Sequence, residues 1–524
     1  MRAKGPFPNG RIQSTALNNK AIQSLCGHLR KTNCCRKLAP ILDNILKQSD
    51  MTNTDAIWKL AEAKRETFFD LGDRVWDTPE TNYAEFASAD AHEAVLAAEG
   101  FRVERGIGGM PTAVMGEAGD GGPVIAILGE FDALPGLSQE AGIAHERPLE
   151  EGGNGHGCGH NLLGAGSMMA ATAVKDYLAA HGLAGRIRYY GCPAEEGGSS
   201  KGFMVRAGLF DDVDIAISWH PAPFAGVNNP VSLACNEIDF HFTGRAAHAS
   251  ATPHLGRSAL DALELMNVGV NFLREHMPLS ARIHYAITDT GGNAPNVVQA
   301  RATARYLVRA RNLPELHALS ARVHAIAEGA ALMTGTTVRS RIVSGDANLI
   351  GNTPLESLMH MHLERLGPPA FDDQDRATAE AFQKTFSAED IASAFERFGL
   401  KLRRGIALCD TIFPPESGAG TLVGSTDVGT VSWVVPTVQM RGATYAIGTP
   451  GHSWQLVAQG KLPAAHKGME HAAKVMAATA LDLIRRPELI AAAKADQAAR
   501  LEGTPFVNPI PDDVDPPFPA DTRY

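Results

Sequence analysis

The sequence has no apolar run of the roughly 18 residues that a membrane-spanning helix needs; Lys, His, Glu or Asp interrupt its longest nonpolar segments. No membrane span is expected. Cysteine is scarce: of seven, three fall in the first 35 residues, and Cys158, Cys192, Cys235 and Cys409 are too scattered for a disulfide framework. A chain of this size needs none, and the sparse spacing favours a reducing compartment, the cytoplasm being the simplest. Clustered positive charge is missing from the body as well. Residues 1–50 hold nine Lys or Arg against Asp43 and Asp50, so with an overall formal charge of −10 the remaining chain stands near −17. An acidic body argues against nucleic-acid partners, whose phosphates reward clustered cations. Also absent are a GxxxxGK[ST] phosphate loop, a GxGxxG dinucleotide fingerprint and a recognisable cysteine-protease or serine-triad signature.

What is present is an ordinary globular composition, 44% hydrophobic and 20% charged over 524 residues, with 52 Gly and 31 Pro. That length supplies a sizeable core and predicts two or more folding units. Residues 1–50 lack the apolar stretch and cleavage pattern of a secretory signal. They read as a disordered basic extension, an organellar presequence or an overextended start, with Met51 opening the folded part.

Residues 124–128 and 215–217 are continuous apolar runs, as expected of strands buried in an α/β sheet, and residues 162–178 make a packed helix between them. Near residue 235 the texture changes. Residues 237–242 alternate polar and apolar, and Ala259, Leu263, Met266, Val270 and Leu273 recur at spacings of three and four. Pro314 opens a second helix with Leu316, Leu319, Val323, Ile326 and Ala330 on one face, and residues 336–343 supply a closing strand. The order predicts an α/β domain in two parts, 51–234 and 348–500, interrupted by a compact α+β insertion at 235–347. Residues 501–524, with six prolines and five acids, predict an extended tail.

Chemistry-bearing residues gather where such strands end, the usual ligand crevice of an open α/β sheet. Cys158 and His160 lie two apart among glycines, a soft donor pair that suits a transition metal, although a polar loop around a buried thiol has the same composition. Glu195 and Glu196 follow the strand at 187–190. Adjacent carboxylates on a turning backbone point in different directions, so one can ligate metal while the other faces water or substrate. Asp132 lies just beyond the 124–128 strand, His220 follows 214–218, and His452 sits in a glycine-flanked loop. Each signal is weak alone; a shared pocket would join them.

Seven motifs in order carry a stronger signal: GEFDALPGLSQ at 129–139, NGHGCGHNLLG at 154–164, YGCPAEEGGS at 190–199, ATPHLGRSALDA at 251–262, APNVVQA at 294–300, STDVG at 425–429 and GTPGHSWQLVAQG at 448–460. Over about residues 52–510 the chain resembles the M20 metallopeptidase and amidohydrolase family, in its aminobenzoyl-glutamate hydrolase branch. The resemblance implies an α/β metallopeptidase-type catalytic domain with an inserted α+β lid and dimerisation domain. It also implies two divalent metal ions, manganese favoured and zinc open on ligand chemistry, held by Cys158, His160, Glu196, His220 and His452. Glu195 matches the general base and Asp132 the acid that orients a metal ligand. His248 matches the histidine that stabilises a developing oxyanion, often from the partner subunit. Asn296 matches a substrate contact. Arg309 is chemically suited to fork onto a substrate carboxylate, although a solvated arginine at a strand end is the alternative reading. Glu130 stands where many relatives carry a metal-binding His and is not counted as a ligand; Asn161 stands near a bridging Asp of other branches. The implied reaction is hydrolysis of a small-molecule N-acyl or N-aroyl amino acid, p-aminobenzoyl-glutamate foremost, by a homodimer. An aminoacylase or dipeptidase of other acyl specificity, or a hydrolase subunit that depends on a related partner, is the alternative.

Overall fold

The structure, a computed structural model, describes residues 51–227, 232–415 and 424–519. The expected basic extension lies outside them. Among the described residues, ten strands form two sheets. The first contains β1 (Arg102–Arg105), β2 (Val114–Asp120), β3 (Val124–Glu130), β4 (Gly185–Cys192), β5 (Ile215–Ala222) and β10 (Thr437–Ala443), in the order β1-β2-β4-β3-β5-β10. The β3, β4, β5 and β10 pairings are parallel, and β1 and β2 continue the sheet antiparallel. Parallel strands need crossover connections that cover the sheet, which is why β3 is buried along its whole length instead of alternating. Val124, Ala126 and Leu128 pack into one core cluster with Tyr190, Phe203 and Val431. The opposite face is covered by helices His160–His181 and Pro463–Arg485, which also pack on each other.

The helix His160–His181 spans 22 residues, about 33 Å, and is buried at each of its first 15 positions. Its glycines permit that closeness. A Cβ on Gly164 would lie 2.6 Å from the carbonyl oxygen of Glu130, and one on Gly166 2.9 Å from Met469 Cγ and 3.0 Å from the Trp219 ring.

The second sheet contains β6 (Ala234–Thr243), β7 (Arg282–Asp289), β8 (Arg301–Ala310) and β9 (Thr337–Asp346), antiparallel in the order β7-β8-β6-β9. Here the sequence alternation is kept: Ile238, Phe240, Phe242, Ala304, Tyr306 and Val308 point into a core formed with helices Ala259–Leu273 and Leu313–Thr334. Asp239 and Arg305 project from the other face, bound bidentately at 2.8 and 2.9 Å. Both helices begin on side-chain caps: Ser258 accepts from Asp261 N at 3.0 Å and Asn312 from Glu315 N at 2.9 Å. The result is the expected α/β fold with an additional α+β sheet domain.

After the helix Pro487–Leu501 the chain is extended, but it is packed down. Ile510 and Val514 are buried, and Asn508 and Pro509 hydrogen-bond Gly202 and Asn236 at 2.9 Å. Among the described residues no helix is long and apolar enough to cross a membrane.

Candidate metal centre

Five segments deliver polar groups to the carboxyl end of the first sheet. The turn after β3 supplies Asp132; the turn before helix His160–His181 supplies Cys158, and the helix's first residue supplies His160. The turn after β4 supplies Glu195 and Glu196, and β5 itself supplies His220. His452 arrives from the loop ahead of helix Trp454–Gln459, where its backbone N–H donates to Gly157 O at 3.0 Å.

The turns are held in unusual conformations. Gly159 has φ 79°, and a Cβ there would meet Pro221 at 3.0 Å. Ala194 and His452 occupy the same left-handed region, each at φ 52°, which costs a non-glycine residue on the order of 1 kcal/mol. Ala194 is compensated by its N–H, which donates to Glu85 Oε1 at 2.9 Å.

Hydrogen bonds fix which nitrogen of the His160 and His220 imidazoles faces the centre. Asp132 Oδ1 accepts from His160 Nδ1 at 2.8 Å, leaving Nε2 pointing inward, and its Oδ2 accepts the Glu196 N–H at 2.8 Å. His220 Nδ1 donates to Pro221 O at 2.8 Å, so the lone pair of its Nε2 faces Cys158 Sγ at 3.4 Å. His452 Nε2 lies 3.4 Å from Glu196 Oε1. The donor atoms of Cys158, His160 and His220 lie within 4.8 Å of one another, as do those of Cys158, Glu196 and His452. His160 Nε2 and Glu196 Oε1 are buried with no hydrogen-bond partner. Sulfur, imidazole and carboxylate atoms converging in this way, two of them unsatisfied, suit divalent cations, and the two overlapping sets fit a dinuclear site. Asp132, through its bond to His160 Nδ1, fixes the orientation of one of these candidate donors.

The two adjacent glutamates are electrostatically unequal. Burial, with the carboxylates of Glu130 and Glu196 nearby, pushes Glu195 well above the usual carboxylate range. Burial opposes ionisation of Glu196 too, but the imidazoles of His452 and His160 outweigh it and hold that carboxyl at about 2. Burial, then the charge of Arg441, takes His220 down to about 3, so it is neutral and able to ligate. A pair of carboxyls pushed apart in this way divides naturally into a ligand and a proton carrier.

Sequence reasoning missed Lys201. It is fully buried, and its Nζ is 2.7 Å from Glu130 Oε1 and 2.6 Å from Asp427 Oδ1, while its backbone N–H donates to Asp427 Oδ2 at 3.0 Å. Glu130 thus has one oxygen on Lys201 and the other 3.3 Å from His160 Nε2, and it groups with His160 and Glu195 as a third set of converging donors. The available signal was a lone Lys between small residues and the apolar run 203–205. Asn161 turns away from the centre and donates to Gly72 O and Gly460 O, anchoring the helix.

The remaining candidates divide. Arg309 on β8 lines a cavity of about 500 Å³ that also contains Cys158, Glu195, Glu196, His220 and His452. His248 and Asn296 are brought together with each other but do not line that cavity: both are exposed, joined by Ala249 N donating to Asn296 O at 2.9 Å. His248 Nδ1 accepts from Ala251 N at 3.2 Å, leaving its Nε2 as an outward donor.

Residues 126–395 match the model of Peptidase family M20/M25/M40. The chain is also 45% identical over 466 residues to one of the p-aminobenzoyl-glutamate hydrolase subunits of Escherichia coli (strain K12), covering 87% of this chain and 97% of that one. This chain belongs to the M20/M25/M40 peptidase family. Within it, an Xaa-Arg dipeptidase of Mus musculus is 27% identical over 84% of this chain and 90% of its own length. The fold is shared with an aminobenzoyl-glutamate utilization protein from Klebsiella pneumoniae (TM-score 0.56, 18% identity, 82% of this chain and 98% of that chain). It is shared also with a putative aminohydrolase from methicillin-resistant Staphylococcus aureus (TM-score 0.58, 15% identity, 82% and 100%). Family and ligand cluster together make this M20 member a metal-dependent amidohydrolase.

Proposed function

We propose that this enzyme hydrolyses p-aminobenzoyl-glutamate to p-aminobenzoate and glutamate in the cytoplasm. The observation that carries the substrate is the 45% identity to the Escherichia coli p-aminobenzoyl-glutamate hydrolase chain, extending over 97% of that protein. Cys158, His160, Glu196, His220 and His452 hold two divalent ions, manganese by family resemblance, with the thiolate keeping zinc open. Bound there, such ions supply Lewis-acid polarisation of the amide carbonyl and acidify a water. Glu195 takes the proton of the attacking water and hands it to the departing nitrogen, a task that its elevated proton affinity suits. Asp132 holds His160 and the Glu196 backbone in place.

His248, with its free Nε2 donor, stabilises the oxyanion, and Asn296 beside it contacts substrate. Because both are exposed and outside this chain's own cavity, they serve the partner's site in a homodimer. The second reading is a dipeptidase or other aminoacylase, favoured by the 27% identity to Xaa-Arg dipeptidase. A hydrolase that needs a related partner chain is the third, since the more similar relative is itself named as one subunit of its enzyme.

The test is release of glutamate from p-aminobenzoyl-glutamate by purified, manganese-loaded protein beside a Glu195→Gln control. Release that falls at least about 10³-fold in the control, with metal content retained, supports substrate and base together. No release from folded, metal-loaded wild type shifts the assignment to another acyl group or an obligatory partner.

A further inference from the structure

β10 lies parallel to β5 with Arg441 paired opposite the metal-ligand candidate His220. Paired residues share a face, and Gln439, two positions earlier, lines the same cavity as Arg441, as a period of two requires. Arg441 is half-buried, and among the described residues no carboxylate hydrogen-bonds or ion-pairs with its guanidinium. Two other strand arginines behave differently: Arg188 is held by Glu117 and by Asp212 at 2.8 Å, and Arg305 by Asp239 at 2.8 Å. Burial pulls the Arg441 guanidinium below its ordinary range, Tyr445 opposes, and the nearby cation Arg397 adds to the fall. A cation taken from water with no counter-ion is costly, and an anion entering the cavity removes that cost. Facing it from β8, Arg309 has its Nε buried without a partner. The pocket therefore offers a planar, bidentate donor beside the catalytic centre with nothing of its own to bind.

We infer that Arg441 is a specificity residue that forks onto a carboxylate of the substrate's amino-acid half, making the enzyme selective for N-acyl derivatives of acidic amino acids. The inference rests on the hydrolase reading above and deepens it. A bidentate guanidinium–carboxylate pair is geometrically selective, so Lys does not replace it, and a substrate lacking that carboxylate leaves the cation unpaired.

The test compares wild type, Arg441→Gln and Arg441→Lys, all manganese-loaded, on p-aminobenzoyl-glutamate and p-aminobenzoyl-glutamine, together with calorimetric binding of glutarate. Arg441→Gln is expected to raise KM for the glutamate derivative at least about tenfold, with a smaller change in kcat, and to weaken glutarate by a similar factor. Arg441→Lys is expected to recover only part of either loss. If the penalty disappears for the glutamine derivative, Arg441 reads the side-chain carboxylate; if it persists, the α-carboxylate. An unchanged KM and an unchanged glutarate affinity in Arg441→Gln overturn the inference while leaving the hydrolase reading intact. Glutarate binding that depends on Arg441 in a protein that hydrolyses neither derivative upholds the inference and overturns the substrate assignment.

Discussion

In the six-stranded sheet the chemical groups sit at strand ends beneath covering helices, whereas the four-stranded sheet carries His248 and Asn296 on loops open to water. The difference follows from strand pairing. Parallel strands must be crossed over by helices, so their carboxyl ends open into a dry crevice where each polar atom needs a partner or a cation. Antiparallel strands turn back directly, leaving one face and its loops wet. The first sheet is therefore suited to holding charge at fixed geometry, and the second to presenting groups to something outside its own chain.

The sharpest way to break that contrast is to cut one ion pair in each sheet domain. Lys201→Met takes the ammonium from the buried carboxylates of Glu130 and Asp427, with an expected cost of about 3–5 kcal/mol in urea unfolding. Arg305→Met removes a comparable pair from the wet face of the second sheet, where Arg305 is 42% exposed, and is expected to cost under about 1 kcal/mol. Equal losses would show that burial does not separate the two sheets.

A smaller effect tests what the exposed loops are for. His248→Ala is expected to lower kcat about 10²-fold, as for loss of one oxyanion donor. Mixing it with Glu195→Gln under conditions that exchange subunits restores about a quarter of wild-type activity if His248 acts in the partner's site, because random pairing in a two-fold dimer leaves that share of sites intact. No recovery would confine His248 to its own chain.

The smallest effect concerns the covering layer alone. Burial holds His471, on helix Pro463–Arg485, at about 4 against an ordinary 6.5, with a hydrogen bond to Gly367 O opposing the fall. The folded protein stays neutral there while the unfolded chain protonates. Its contribution is complete above pH 6.5 and is lost as pH falls toward 4, amounting to about 2 kcal/mol between pH 7 and pH 5. Chemical denaturation of His471→Gln at those two pH values is expected to show a correspondingly shallower dependence than wild type.

The elements that define the fold were legible because their periodicities are local. The continuous run at 124–128 became fully buried β3, and the alternation at 237–242 became β6 with Ile238, Phe240 and Phe242 inward. Ordered motifs singled out the residues that converge at the centre, since glycines and turn residues mark where a strand must release a side chain. Lys201 and Arg441 escaped for the opposite reason. Each is one cation in an otherwise apolar neighbourhood, and its meaning depends on partners 226 residues away in the case of Asp427, or on having none in the case of Arg441. Exposure of His248 was equally invisible, because a motif names a residue without saying whether it reaches its own chain's cavity.

The two close glycine contacts of helix His160–His181 have a consequence for how this protein tolerates change. A single methyl group at Gly164 or Gly166 would strike Glu130 O or Met469 and Trp219, and a rod that cannot bend locally responds by lifting as a whole. His160 is the first residue of that rod. Random substitution is therefore expected to yield inactive proteins altered at positions that touch neither metal nor substrate, and drift in this segment is limited by mechanical clearance more than by chemistry.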